Sequence, residues 1–299
     1  MRSPKPHVDS KFGVRFIFLL VAGLILLGAG PGKNSEDPWS EVYLTGTTQG
    51  NHDLDCMVIQ PWSESSDPTD APYPIIVWAN GWGWNDNAGE STTAGYKPGL
   101  IEWALDGPYI VVAANHWSVQ ESDVLNCLQA VIHTYGETVD SDKIGLAGHS
   151  QGGGAIIKAG DGEPNGFDIT ATIPMNPYGP AWVNPGNQDG PMMLIGGTND
   201  TTTPTSSFEA VWIAIQLENG GKGGLLAELQ GGTHNDDAWA PEEDGDNPQD
   251  YNFGRYQRIT ELWWQFHLND DARSGRGLKR LLDRDSWDTQ YAFTEDFEL

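Results

Sequence analysis

The segment SDKIGLAGHSQGGGAIIKAG, residues 141–160, decides the fold. Its apolar run 144–147 is typical of a buried strand, and the small residues that follow Gly152 predict a helix. In the pattern Gly148-x-Ser150-x-Gly152, the glycines let the strand and the helix approach closely around a sharp turn. A serine on such a turn has a strained backbone and displays its Oγ at the carboxyl end of the sheet. The segment therefore predicts a nucleophile, unless Ser150 is an ordinary serine in a glycine-rich connection.

Strand-like and helix-like segments alternate along the rest of the chain. This βαβα order predicts an α/β fold, a mostly parallel twisted sheet flanked by helices, in one domain. Two segments near the start are expected to add antiparallel edge strands. The predicted strands are 43–49, 53–61, 73–80, 109–116, 143–149, 169–175, 191–196 and 224–230, and the predicted helices are 97–106, 121–135, 151–160, 207–219 and 254–269.

The connection between two of these strands is short. Only 13 residues separate Pro177 from Pro191, which is too few for a helical lid domain. We therefore expect no large lid, and a cleft that is open to bulky substrates.

A serine nucleophile needs a base and an acid that orients the base, in the order Ser, Asp, His in this kind of sheet. Asp200 lies in a polar turn just beyond one predicted strand, and His234 lies in the loop after the next strand. Parallel strands bring their carboxyl ends to one edge, so both side chains are expected near Ser150. Asp236 and Asp237 are alternative acids, but their closeness to His234 in sequence makes its Nδ1 hard to reach.

Two backbone N–H groups are candidates for stabilising an oxyanion. Gln151 begins the helix behind Ser150, where the helix dipole adds partial positive charge. The turn Asn80-Gly81 leaves the backbone N–H of Trp82 free to point into the site. The sequence thus predicts an oxyanion hole formed by Trp82 and Gln151.

Aromatic side chains are expected at the rim of this site. Trp82 follows the predicted oxyanion turn, Tyr178 follows a strand end, and Trp117 follows another. We predict that these three bind substrate. His149 is expected to pack beneath the nucleophile. No Cys/His cluster has metal-ligand spacing, so no metal or cofactor is expected.

The N-terminus has the pattern of an export signal. Four basic residues precede an apolar run over 16–27, which ends in small residues. This order is typical of a secretory signal peptide, although an uncleaved membrane anchor is an alternative. We predict a signal peptide over 1–30, a flexible segment over 31–40 and a catalytic domain over 41–299. The mature protein is then extracellular or periplasmic, without stable membrane association.

The chain contains two cysteines, Cys56 in a predicted strand and Cys127 in a predicted helix. An even pair in an exported protein favours one disulfide, and two buried thiols are the alternative.

Acidic residues greatly outnumber basic ones. There are 16 Lys and Arg against 42 Asp and Glu, which gives a net charge of −26. Such a surface repels nucleic acid and anionic membranes, and it favours neutral or cationic substrates. We therefore expect no nucleic-acid partner, and we expect a monomer.

Four motifs carry a resemblance to a known family: NGWG at 80–83, GHSQGGG at 148–154, GGTND at 196–200 and GGTH at 231–234. They resemble the cutinase-like polyester hydrolases, including poly(ethylene terephthalate) hydrolases, and their dienelactone-hydrolase-like relatives. The resemblance covers roughly residues 41–270.

This resemblance implies an α/β-hydrolase fold in which Ser150, Asp200 and His234 form the catalytic triad. It also implies an oxyanion hole from the N–H groups of Trp82 and Gln151. An aromatic at the position of Tyr178 stacks on the substrate in those enzymes.

The chain departs from that family in two ways. Those enzymes often have Met where this chain has Gln151, and many have a disulfide near the C-terminus. The pair Cys56 and Cys127 instead resembles a subset of exported hydrolases with a GHSQGG turn.

The expected activity is that of a secreted serine ester hydrolase, acting on short or medium esters and on polyesters through an acyl-enzyme. Other acyl hydrolases of the same fold, chlorophyllase-like or peptidase, are alternatives. A catalytically inactive binding module is a further alternative, but such proteins typically lose the serine or the histidine.

Overall fold

The structure, a computed structural model, describes eleven parts of the chain: residues 38–47, 53–62, 71–82, 96–116, 118–160, 166–178, 188–207, 212–213, 223–234, 253–283 and 287–292. Within these ranges, nine strands form one sheet. They are β1 (Ser40–Thr47), β2 (Asp53–Gln60), β3 (Tyr73–Ala79), β4 (Ile110–Asn115), β5 (Val139–His149), β6 (Ile169–Met175), β7 (Met192–Gly197), β8 (Gly224–Leu229) and β9 (Trp287–Ala292). The helices are α1 (Lys97–Asp106), α2 (Glu121–Tyr135), α3 (Gln151–Ala159), α4 (Phe253–His267) and α5 (Ala272–Leu282).

The sheet is parallel in its centre and antiparallel at its edges. Its strand order is β1-β2-β4-β3-β5-β6-β7-β8-β9. The six strands β3 to β8 run parallel to one another. The outer strands β1, β2 and β9 are antiparallel to their neighbours. The predicted α/β class and the antiparallel strands at the start are thus confirmed. β6 and β7 are neighbours, as the short connection required.

Helices cover both faces of the sheet and create two hydrophobic layers. One layer contains side chains of α1, α4 and α5, including Trp103 and Trp264. The other contains side chains of α2 and α3. All seven residues of β3 are buried, because helices lie on both sides of this central strand.

The sequence pattern missed two elements at the C-terminal end. The segment that forms α5 is rich in Arg, Lys and Gly, and it has few apolar residues from which to recognise a helix. β9 has the mixed sequence WDTQYA and lies at the edge of the sheet, paired only with β8 among the described strands. Both elements are stabilised by what they pack against, so propensity alone did not reveal them.

Some of the predicted N-terminal and helical segments differ from the structure or lie outside the described residues. β1 spans Ser40–Thr47, so it begins three residues before the predicted strand 43–49 and ends two residues before that prediction's end. The Ser40 hydroxyl donates to Gln60 at 2.6 Å. The predicted signal peptide, and most of the predicted helix 207–219, lie outside the described residues. Within the described ranges, every helix is too short or too polar to span a bilayer.

The two cysteines form a disulfide between the sheet and a helix. Cys56 of β2 is joined to Cys127 of α2, with a Cα–Cα distance of 5.5 Å. Both residues are fully buried. The bridge spans 71 residues of sequence and fastens α2 to the edge-side half of the sheet.

Removing this bridge is expected to lower the free energy of unfolding by about 4 kcal/mol, because the loop it closes is long. Urea denaturation of the Cys56→Ala/Cys127→Ala variant, compared with the oxidised parent protein, measures the change. A loss below about 1 kcal/mol would show that the bridge does not constrain the unfolded chain as the loop-closure argument requires.

Candidate active site

Ser150 occupies a sharp turn between β5 and α3. Its backbone angles are φ 51° and ψ −117°, a conformation that costs free energy for a residue with a Cβ. A methyl group at Gly152 would lie only 2.1 Å from the carbonyl oxygen of Ala79, and one at Gly148 would lie 2.8 Å from the backbone of Gly152. Glycine is therefore required at both positions, because a Cβ atom there would clash with the neighbouring backbone.

Three predicted residues form a continuous chain of hydrogen bonds. The Ser150 Oγ lies 3.0 Å from Nε2 of His234, and Nδ1 of His234 lies 2.8 Å from Oδ2 of Asp200. The three follow β5, β8 and β7, which end at the same edge of the sheet. This arrangement allows the imidazole to take the serine proton while the carboxylate holds its other nitrogen.

The carboxylate of Asp200 is buried, and both of its oxygens accept hydrogen bonds. Its Oδ1 accepts the backbone N–H groups of Thr202 at 2.7 Å and Thr203 at 2.8 Å. Burial by itself raises the pKa of Asp200, but the hydrogen bonds from His234 and Thr203 outweigh it and lower the pKa to about 2. The group is therefore ionised at neutral pH, as an orienting acid must be.

The hydroxyl of Thr203 is a site contact that the sequence reasoning missed. Its Oγ1 lies 2.8 Å from Oδ2 of Asp200, 3.0 Å from Nδ1 of His234 and 3.0 Å from the carbonyl oxygen of Asn176. The only sequence signal was the run of three threonines after Asp200. Thr203 thus links the acid, the base and the end of β6.

The two predicted oxyanion donors lie beside the nucleophile. Gln151 is the first residue of α3, so its N–H has no partner within the helix. A methyl group at Gly81 would lie 3.3 Å from the Ser150 Cβ, which places the turn before Trp82 against the serine. The Gln151 side chain donates to Ser118 Oγ at 2.9 Å, in the loop after β4.

Two of the three predicted aromatic contacts are exposed near Ser150. Trp82 is 64% exposed and Tyr178 is 55% exposed, which is unusual for large apolar side chains. The Tyr178 N–H donates to the Ser150 carbonyl at 2.8 Å, so its backbone is held at the serine turn. Trp117 lies outside the described residues, as do the alternative acids Asp236 and Asp237.

In the part of the chain that the structure describes, no group of three or more His, Cys, Asp or Glu side chains is arranged to hold a metal ion. The hydrogen-bonded series from Ser150 through His234 to Asp200 is chemically suited to transferring an acyl group to the serine oxygen.

Comparison with known proteins identifies the fold of the chain but no family to which it belongs. No model of a known protein family matches the chain, and no curated protein matches its sequence. Solved structures do match. An esterase from the archaeon Pyrobaculum calidifontis is 13% identical, with a TM-score of 0.57, over 77% of this chain and 86% of the other.

Two further solved structures match to a similar degree. Esterase 2 of Thermogutta terrifontis, in a form phosphorylated by paraoxon, is 18% identical with a TM-score of 0.56, over 77% of this chain and 95% of the other. A puromycin-hydrolysing peptidase of Mycobacterium tuberculosis is 14% identical with a TM-score of 0.55, over 76% of this chain and 39% of the other. Together with the strand order, these likenesses show that the chain has the α/β-hydrolase fold.

Proposed function

We propose that this chain is a serine carboxylic ester hydrolase. The observation that carries the proposal is the hydrogen-bonded series from Ser150 through His234 to Asp200. The solved structures with similar folds include two esterases, which favours ester cleavage over other chemistry on this fold. An inactive binding module has no need to keep all three side chains in hydrogen-bonding contact.

In the proposed reaction, the Ser150 Oγ attacks the ester carbonyl carbon while His234 Nε2 takes its proton. The carbonyl oxygen becomes an oxyanion that the N–H groups of Gln151 and Trp82 stabilise. His234 then gives the proton to the leaving alcohol as the C–O bond breaks, and the acyl group stays on Ser150. Water, deprotonated by His234, attacks the acyl-enzyme, releasing the acid and restoring the serine.

The proposed substrates are short- or medium-chain esters and polyesters of the cutin or poly(ethylene terephthalate) type. The exposed rings of Trp82 and Tyr178 offer a flat apolar contact for a polymer surface or an aromatic ester. The 16 residues between β6 and β7 (from Met175 to Met192, exclusive) are few for a lid that would enclose a long acyl chain. The negative net charge favours a neutral substrate such as an ester.

We further propose that the mature protein is secreted as a monomer, after cleavage of a signal peptide within residues 1–30. The Cys56–Cys127 disulfide supports the export part of this proposal, because such bonds persist in oxidising compartments.

The proposal is tested by incubating the mature protein with tributyrin, polycaprolactone, bis(2-hydroxyethyl) terephthalate and a peptide, and identifying the products. Acid release from the three esters, with an intact peptide, is the expected result. Peptide cleavage with intact esters would instead support the peptidase alternative. Release from the soluble esters alone would exclude the polyester part of the proposal.

A series of p-nitrophenyl esters checks the open cleft. We expect kcat/KM to be highest for acyl chains of about two to eight carbons and to fall for longer chains. Without an enclosing lid, the additional methylene groups of a long chain stay in water and add no binding energy. Activity that rises steadily to long chains would contradict this expectation.

A further inference from the structure

A buried histidine that the proposed reaction does not use lies directly beneath the reacting groups. His149 precedes Ser150 and is 1% exposed. Its Nδ1 lies 2.7 Å from the Tyr96 hydroxyl, and its Nε2 lies 2.7 Å from the backbone carbonyl oxygen of His234. The rings of His149 and His234 are 4.8 Å apart between centroids. The sequence predicts packing at this position, and in the structure His149 also makes two short polar contacts.

The carbonyl oxygen of His234 accepts a second hydrogen bond, from Asn176. The side-chain amide of Asn176, at the end of β6, donates to it at 3.3 Å. Asn176 is fully buried and has φ 40°, a backbone conformation that asparagine tolerates better than most residues. His234 is thus held at its side chain by Asp200 and at its main chain by His149 and Asn176.

These contacts determine the tautomer of His149. A carbonyl oxygen has lone pairs only, so Nε2 must carry the hydrogen, and Nδ1 must accept from the Tyr96 hydroxyl. Burial, followed by the nearby His234, lowers the pKa of His149 to about 3. A neutral His149 leaves His234 free to take up positive charge during the reaction without a second charge beside it.

His149 also touches the predicted oxyanion turn. A methyl group at Gly81 would lie 2.9 Å from His149 Nδ1 and 3.1 Å from the Tyr96 oxygen. The same buried pair therefore lies against the turn that carries the Trp82 N–H, the serine turn, and the loop of the base.

We propose that His149 is a positioning residue whose Nε2–H holds the main-chain carbonyl of His234 and so sets the distance between the base and Ser150. Asn176 is the second donor to this carbonyl, and Tyr96 fixes the tautomer of His149. These three contacts are called the clamp below. The inference rests on the proposed function, since it assigns a role in the same site. The loop that holds His234 has no regular structure from residue 230 to 234, so these two donors replace the hydrogen bonds that a strand or helix would supply.

Two amide variants separate the clamp from simple packing. In His149→Gln, the side-chain N–H₂ lies about where Nε2 lies and can still donate to the carbonyl. In His149→Asn, the shorter side chain places its amide near the Nδ1 position and loses that bond. His133→Asn makes the same chemical change at an exposed position on α2 and serves as the matched control.

On p-nitrophenyl acetate, His149→Asn is expected to lower kcat roughly ten- to a hundredfold with KM changed less than about twofold, because misplacing the base affects the chemical step. His149→Gln should recover most of the loss, and His133→Asn should match the parent. Equal losses in the Gln and Asn variants would overturn the clamp. If His149→Asn does not fold, Tyr96→Phe provides the test, with an expected loss of about three- to tenfold in kcat; an unchanged kcat in that variant would overturn it.

A measurement without substrate distinguishes failure of the clamp from failure of the proposed function. The Nδ1 proton of His234, held by Asp200, should give a resolved low-field NMR resonance in the parent and in His149→Gln. It should broaden through exchange with water in His149→Asn. An unchanged resonance in His149→Asn contradicts the clamp, whether or not the parent hydrolyses esters. A parent without esterase activity contradicts only the proposed function.

Discussion

Replacing Ser150 with alanine is expected to abolish labelling by a fluorophosphonate probe and to lower kcat on p-nitrophenyl acetate by about a millionfold. The substitution removes only the Oγ that lies 3.0 Å from His234 Nε2. A φ of 51° costs alanine about as much conformational free energy as it costs serine, so the substitution should change the stability of the fold little. The loss is therefore a loss of the nucleophile, and mass spectrometry of the labelled protein measures it directly.

The control for this variant is Ser206→Ala, at an exposed position beyond the Asp200 turn. It should retain both labelling and turnover. Labelling that persists in Ser150→Ala would remove Ser150 from its proposed role. A parent protein that takes up no probe would favour the inactive binding module.

Replacing Asp200 with asparagine is expected to lower kcat by about ten-thousandfold. Asparagine has nearly the same shape, and its oxygen can still accept the N–H groups of Thr202 and Thr203. Its N–H₂ group, however, would face Nδ1 of His234, where the carboxylate oxygen now accepts the Nδ1–H hydrogen bond. The imidazole would then hold its hydrogen on Nε2, and it could not take the proton of Ser150.

Asp237→Asn provides the comparison, because Asp236 and Asp237 were the alternative acids in the sequence. The structure places Asp200 at 2.8 Å from His234, so Asp237→Asn should keep kcat within about twofold. A larger loss in Asp237→Asn than in Asp200→Asn would reassign the orienting acid. Steady-state kinetics on a soluble ester, with unfolding curves for both variants, decides between them.

Local patterns were sufficient to predict most of the sheet. Apolar runs such as 73–79 are long, buried on both faces and bounded by turn residues, so their periodicity is not ambiguous. The order of strands and helices is sufficient to predict that Ser150, Asp200 and His234 lie at the same edge of the sheet. β9 and α5 could not be predicted in this way, since they depend on the sheet edge and on α4 for their stability.

The buried polar contacts could not be predicted from local pattern. Thr203, Asn176 and His149 come from three separate segments and meet only around His234. A threonine in a polar turn, or a histidine beside a serine, has no periodic signal that would identify its partner. Their roles depend on distances between loops, which only the packed sheet determines.

By itself, the sequence determined the nucleophile turn, the order of the proposed triad and the class of the fold. These depend on glycine spacing and hydrophobic periodicity, which act between residues close together in the chain. The tertiary structure alone decided how the base is held: by Asp200 and Thr203 at its ring, and by His149 and Asn176 at its carbonyl. The physical reason is that hydrogen bonds between distant segments form only when the strands have brought those segments together. Burial then removes water from the polar groups, so a hydrogen bond within the protein is favoured over leaving them unpaired.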